Sequence, residues 1–71
     1  MEVLIFRTDI KSSNTLDLLK SLFSTMWQIK SWSVDLEDTD RVLRIESVHL
    51  SPNRVEDMVS QLGITCNELG G

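Results

Sequence analysis

The stretch from Ser31 to Val48 changes between apolar and polar at nearly every position, and it does so on both sides of a short polar turn. In "SWSVDLED", Trp32, Val34 and Leu36 fall on one side, while Ser31, Ser33, Asp35 and Glu37 fall on the other. "EDTD", Glu37 to Asp40, is the turn. "RVLRIESV" then alternates again, with Leu43 and Ile45 inward and Arg44 and Glu46 outward. A period of two suits a pleated strand with one wet face, so the segment is expected to form a β-hairpin that offers one apolar face to something else.

The flanking segments supply that something. "VLIF", Val3 to Phe6, is an unbroken apolar run, the pattern of a central strand buried on both faces. Leu16, Leu19, Leu22, Phe23 and Met26 recur at helical spacing, with Leu18 beside the stripe. Asn14 is the expected N-cap of that helix, with Asp17 three residues on. A second helix begins at Ser51 as N-cap with Pro52 in the first turn. It carries Val55, Met58, Val59 and Leu62 inward and ends near Gly63. "ITCNEL" reads as a last strand, and Gly70–Gly71 as a frayed tail. The order β-α-β-β-α-β, with right-handed crossovers, predicts an α+β ferredoxin-like sandwich: a four-stranded antiparallel sheet with both helices on one face. The 71 residues form one domain, 1–71, with a thin core.

Composition removes several classes of function. A net charge of −4 repels phosphate backbones and anionic membrane surfaces, so neither nucleic acid nor membrane is an expected partner. The N-terminal "MEVLIFRTDI" lacks a basic leader and no run reaches the ~18 apolar residues of a membrane span, which makes a cytoplasmic location the expectation. With Cys66 as the one cysteine, neither an internal disulfide nor a cysteine-pair metal clamp can form.

The chain resembles the heavy-metal-associated domain, the fold of copper chaperones and of the N-terminal modules of metal-pumping ATPases. The resemblance covers nearly the whole chain and is carried by "IKSWSVDLEDTDRVLRIES" and "SPNRVEDMVSQLGITCNEL". The family's metal motif is Gly-Met-Thr-Cys-x-x-Cys. Counting back from Val34 sets it on "DIKSSNT", with Ile10 at the buried methionine, Ser12 at the first cysteine and Thr15 at the second. Soft ions such as Cu(I) require polarisable thiolates, and serine and threonine hydroxyls stay protonated and hard at neutral pH. The resemblance therefore implies the scaffold of a metal carrier without its ligands, and no metal or other cofactor is expected at these positions.

The remaining candidates are ordinary residue types weighed one by one. Cys66 and Ile64 alternate into the core, where a cysteine acts as a small hydrophobe. His49 lacks a second ligand nearby, and Asp35, Glu37, Asp38 and Asp40 form a solvated acidic turn with no glycine-bearing calcium loop. An enzyme is not expected: Arg7 and Asn14 sit in an order shared with acylphosphatases, but the Gly-rich phosphate loop is missing. Trp27 at the end of the first helix, with Leu18, is a candidate anchor for a partner, with packing over the entry to the second strand as the alternative reading of Trp27. In this topology Val42 and Val48 should join part of the Val3–Phe6 run on the uncovered sheet face, as an apolar patch interrupted by Arg44 and Glu46. The leading expectation is a small non-catalytic interaction module that binds another protein or a second copy of itself. The alternative is a metal-ion carrier that uses Asp9, His49 or the acidic turn as ligands.

Overall fold

The computed structural model describes residues 1–69; the expected frayed tail at Gly70–Gly71 lies outside the described residues. Six elements follow in the order β1 (Glu2–Thr8), α1 (Ser13–Ser24), β2 (Ile29–Val34), β3 (Leu43–Ser47), α2 (Pro52–Ser60) and β4 (Cys66–Glu68). The strands form one antiparallel sheet in the order β2-β3-β1-β4, the α+β ferredoxin-like arrangement that the element order predicts.

Alternation decides which side chains meet the helices. Leu4 and Phe6 of β1 stand opposite Ile45 and Leu43 of β3, and all four are buried. Leu19 and Phe23 of α1 and Val55 and Val59 of α2 close over them, with Ile10, Leu50, Ile64 and Cys66 sealing the ends of the layer. Trp32 packs its ring edge-on to Phe23, with centroids 5.2 Å apart. The other face of the sheet is open. It carries Val3 at 49 % exposure, the half-buried Ile5, and the charged pair Arg44 and Glu46, whose side chains meet at 2.9 Å.

Three expectations change. Helix α1 is capped by Ser12 rather than Asn14, because extended backbone at Ser12 aims its Oγ at the Thr15 amide while Asn14 already lies in the first turn. Strand β2 stops at Val34, and Leu36 is exposed rather than inward. The Asp35 carboxylate accepts the Glu37 N–H and starts the connection there. Val42 and Val48 lie one residue beyond the two ends of β3 and are half-buried. Arg41, with φ 46°, bends the chain just before Val42, and His49, with φ 54°, bends it just after Val48. Val42 and Val48 still bond across to the β2 side, the Val42 carbonyl accepting the Asp35 N–H and the Val48 N–H donating to the Gln28 carbonyl, each at 2.9 Å, while Arg44 and Glu46 interrupt the open face beside Val3, Ile5, Ser31 and Ser33.

Helix α2 begins as expected. Ser51 Oγ accepts the Arg54 N–H at 3.4 Å, and Pro52 opens the helix. Gly63 takes φ 81°, the left-handed value that closes the turn after α2 and that a side chain would strain. The last strand is shorter than "ITCNEL", yet Ile64 and Cys66 are both buried as alternation requires.

Candidate functional site at the β1–α1 junction

The junction between β1 and α1 is tied down at each residue that could have faced a ligand. Thr8 is buried; its hydroxyl donates to the Arg41 carbonyl and accepts the Ile10 N–H. Asp9 accepts the Thr65 N–H at 2.9 Å, so its carboxylate fastens the approach to β4. Ile10 is buried in the core. Lys11 is exposed between these anchors and the cap.

Ser12 and Thr15 come together at the start of α1. Their hydroxyl oxygens lie 3.1 Å apart, and Ser12 Oγ also accepts the Thr15 N–H at 3.4 Å. The Ser12 carbonyl accepts the Leu16 N–H at 3.4 Å. A helix N-terminus leaves its first N–H groups without internal partners, and a serine oxygen at this position satisfies one of them. The two hydroxyls thus serve the backbone and each other. They supply neutral oxygen to a position where a soft cation needs thiolate, so the residues present do not fit Cu(I) or Zn(II).

This role can be measured. Ser12→Ala is expected to lower stability by about 1 kcal/mol. That is a fall of about 4–8 °C in the thermal midpoint for a domain of this size, read by circular dichroism. Ser12→Asp should keep most of the wild-type stability, because a carboxylate caps the same amide and favours the helix N-terminus.

Other candidate ligands are dispersed. His49 is exposed on its bend, and Asp40 pairs with the Arg7 guanidinium at 3.3 Å. Asp38 accepts the Asp40 N–H, and Asp35 the Glu37 N–H. Among the described residues, no three His, Cys, Asp or Glu side chains stand close enough to share a metal ion.

Cys66 lies across from Thr8 in the sheet, at the base of the same junction. Burial, then the nearby Glu56 carboxylate, push its thiol up to about 12. A thiol in that state is inert at neutral pH. We expect a thiol-reactive dye at pH 8 to label native protein about a thousandfold more slowly than denatured protein, in line with the lost thiolate fraction. The same shift has a sign for stability. The unfolded thiol, with its ordinary value of 9.0, ionises first, so this contribution is intact below pH 9 and is lost as pH climbs toward 12.

The anchor candidates on the surface differ in kind. Trp27 follows the C-cap of α1 and is 66 % exposed, with Lys30 Nζ 5.8 Å from the ring centroid. Leu18, on α1, is 48 % exposed. Sequence reasoning missed the Lys30–Trp27 contact, whose three-residue spacing across a turn carries no recognisable pattern. Along α2, Ser51, Arg54, Asp57, Met58 and Gln61 line a shallow depression that is mostly polar. No helix among the described residues is long and apolar enough to cross a membrane. Comparison of the chain with protein-family models, with curated proteins and with solved structures found no match.

Proposed function

We propose that this chain is a non-catalytic protein-interaction module, built on a scaffold similar to that of heavy-metal-associated domains and lacking their metal grip. Trp27 carries the reading. A tryptophan two-thirds exposed, held by a cation over its face, is an expensive surface residue in an 8.1 kDa domain unless something covers it. The junction that would hold a metal in the resembling family serves here as a helix cap and a core anchor, which supports a role by docking rather than by ion transfer. Neither Cys66, buried and protonated, nor His49, alone on its bend, has the neighbours that catalysis requires.

The test is crosslinking within cells. A photoreactive side chain in place of Trp27 should yield one discrete protein adduct, identified by mass. The same group in place of Asn53, on the far helix, should yield none. Equal labelling from both positions, or none from either, would overturn the proposal.

A further inference from the structure

The lysines of this chain are segregated from its acids. All three, Lys11, Lys20 and Lys30, lie within residues 10–34, where Asp17 is the one acid. That segment therefore carries +2, and the rest of a chain of net −4 carries −6. Each lysine is exposed. Among the described residues the ion pairs use arginine, Arg7 with Asp40 and Arg44 with Glu46, and no lysine pairs with a carboxylate.

Two of these lysines flank Trp27. Lys30 Nζ lies 5.8 Å from the ring centroid. Lys20 stands on α1 one turn before Phe23 and Ser24. The chain keeps winding past Ser24, with the Thr25 N–H on the Leu22 carbonyl at 3.2 Å and the Met26 N–H on the Phe23 carbonyl at 3.1 Å. Lys20, Ser24 and Trp27 therefore follow one flank of the helix. It is the flank nearer β2, because the Phe23 ring meets Trp32 there. Leu18 falls on the other flank of the buried stripe, outside this surface.

The negative groups that would oppose an anion here are already engaged. Carbonyls at a helix C-terminus carry partial negative charge. Ser24 Oγ donates to the Ser21 carbonyl at 2.8 Å, and Thr25 Oγ1 to that of Leu22 at 2.7 Å. Glu46, across from Ser31 on the open sheet face, is held by the Ser31 hydroxyl and by Arg44, each at 2.9 Å. Asp17, three residues before Lys20, is the one acid on α1.

An exposed indole between two free ammonium groups fits one kind of occupant. The ring offers amphipathic area to an apolar side chain, and each ammonium is a point charge for a carboxylate. We infer that the surface of Lys20, Trp27 and Lys30 takes an acidic segment of another protein, with an apolar side chain of that segment on Trp27 and its carboxylates on the two lysines. The −6 elsewhere repels such a segment from the rest of the molecule and so directs it to this surface. The same charge works against nucleic acid, whose phosphates run on beyond the lysines, and against a second copy, itself at −4. The inference rests on the proposed function and names the chemistry of its partner.

Its test is a display library of random peptides about twelve residues long, selected on wild-type protein at low ionic strength, where exposed charges are least screened. Enriched peptides should carry several Asp or Glu beside Leu, Ile, Phe or Trp. Their affinity should fall at least about tenfold with Trp27→Ala, and likewise with Lys20→Glu/Lys30→Glu. Arg54→Glu, a charge change on α2, should leave it nearly unchanged. Circular dichroism checks that each variant keeps the fold. Enrichment of neutral or basic peptides, no enrichment, or an affinity indifferent to both lysines would overturn the inference. Saturable binding of a short oligothymidylate, or self-association abolished by Trp27→Ala, would overturn it too, by naming nucleic acid or a second copy as the occupant. A Trp27 crosslink to a segment without acidic residues would sink the inference and leave the proposed function standing, so the two fail separately.

Discussion

Replacing Ser12 and Thr15 together by cysteine is expected to turn a chain with no appreciable affinity for Cu(I) into one that holds a single ion. The two hydroxyl oxygens already lie 3.1 Å apart, so the side chains converge on one point at the start of α1. What they lack is chemical. A hydroxyl stays protonated at neutral pH, whereas a thiol at a helix N-terminus ionises more readily than a free one and gives the soft, polarisable donor that Cu(I) selects. We expect affinity to rise by at least about a thousandfold, or roughly 4 kcal/mol, measured by competition with a Cu(I)-specific chelator under reducing conditions. The apo double variant should be less stable than wild type by about 1 kcal/mol through loss of the serine cap. Excess Cu(I) should then more than restore it, since a ligand at a hundred times its dissociation constant stabilises the folded state by about 2.7 kcal/mol. Each cysteine variant alone should bind far more weakly. A double variant that folds and fails to bind would break the parallel between this junction and the metal loop it resembles.

Ile10→Ala should be the most damaging change within the junction. Ile10 lies between β1 and α1, where a loop residue would ordinarily be exposed, yet it is buried in the core cluster with Phe6, Leu19 and Ile64. Removing a buried isoleucine to alanine costs about 2–5 kcal/mol, the upper part of that range where the cavity cannot collapse. At about 0.05–0.15 kcal/mol per residue, the whole domain has about 4–10 kcal/mol to lose. The variant is therefore expected to be partly unfolded at 37 °C, with a urea midpoint reduced by a third or more and an unchanged slope. Thr8, two residues earlier, fixes the approach through its bonds to Arg41 and Ile10, so the backbone has little freedom to close the gap. Ile10→Met, which keeps the volume, should cost under about 1.5 kcal/mol. Equal, small losses for both changes would mean that the junction is softer than its burial indicates.

How far the sequence alone leads can be traced residue by residue. The sheet order, the two helices and the core were legible, because Leu4, Phe6, Leu43 and Ile45, and the helical stripes that include Phe23 and Val59, repeat at periods of 2 and 3.6 that have few alternatives. The ends of elements were not. Asn14 and Ser12 are both good capping residues, and only the extended backbone at Ser12 decides between them. Leu36 continues the strand alternation on paper, but the Asp35 side chain captures the Glu37 amide and turns the chain first. Val42 and Val48 continue β3 on paper, while the left-handed residues Arg41 and His49 bend the chain on either side. In each case a local side-chain bond or a single dihedral outweighs a pattern of hydrophobicity, and neither is visible in residue order.

The junction itself was half legible. Counting placed Ser12 and Thr15 three apart at the junction of strand and helix, and chemistry excluded them as soft ligands. The use of Asp9 could not be foreseen, because its partner, the amide of Thr65, is 56 residues away in the chain and meets it only once β4 is laid beside β1. The contact of Lys30 with Trp27 depends in the same way on the turn after α1.

One measurement bears most directly on the central claim, that the hydroxyls of Ser12 and Thr15 close a helix and do not hold an ion. Wild-type protein at pH 7 should be titrated with Cu(I), and separately with Zn(II), against a chelator of known affinity. The account predicts that the chelator keeps the metal and that the thermal midpoint does not move. Stoichiometric capture by the protein, lost on Ser12→Ala, would contradict it.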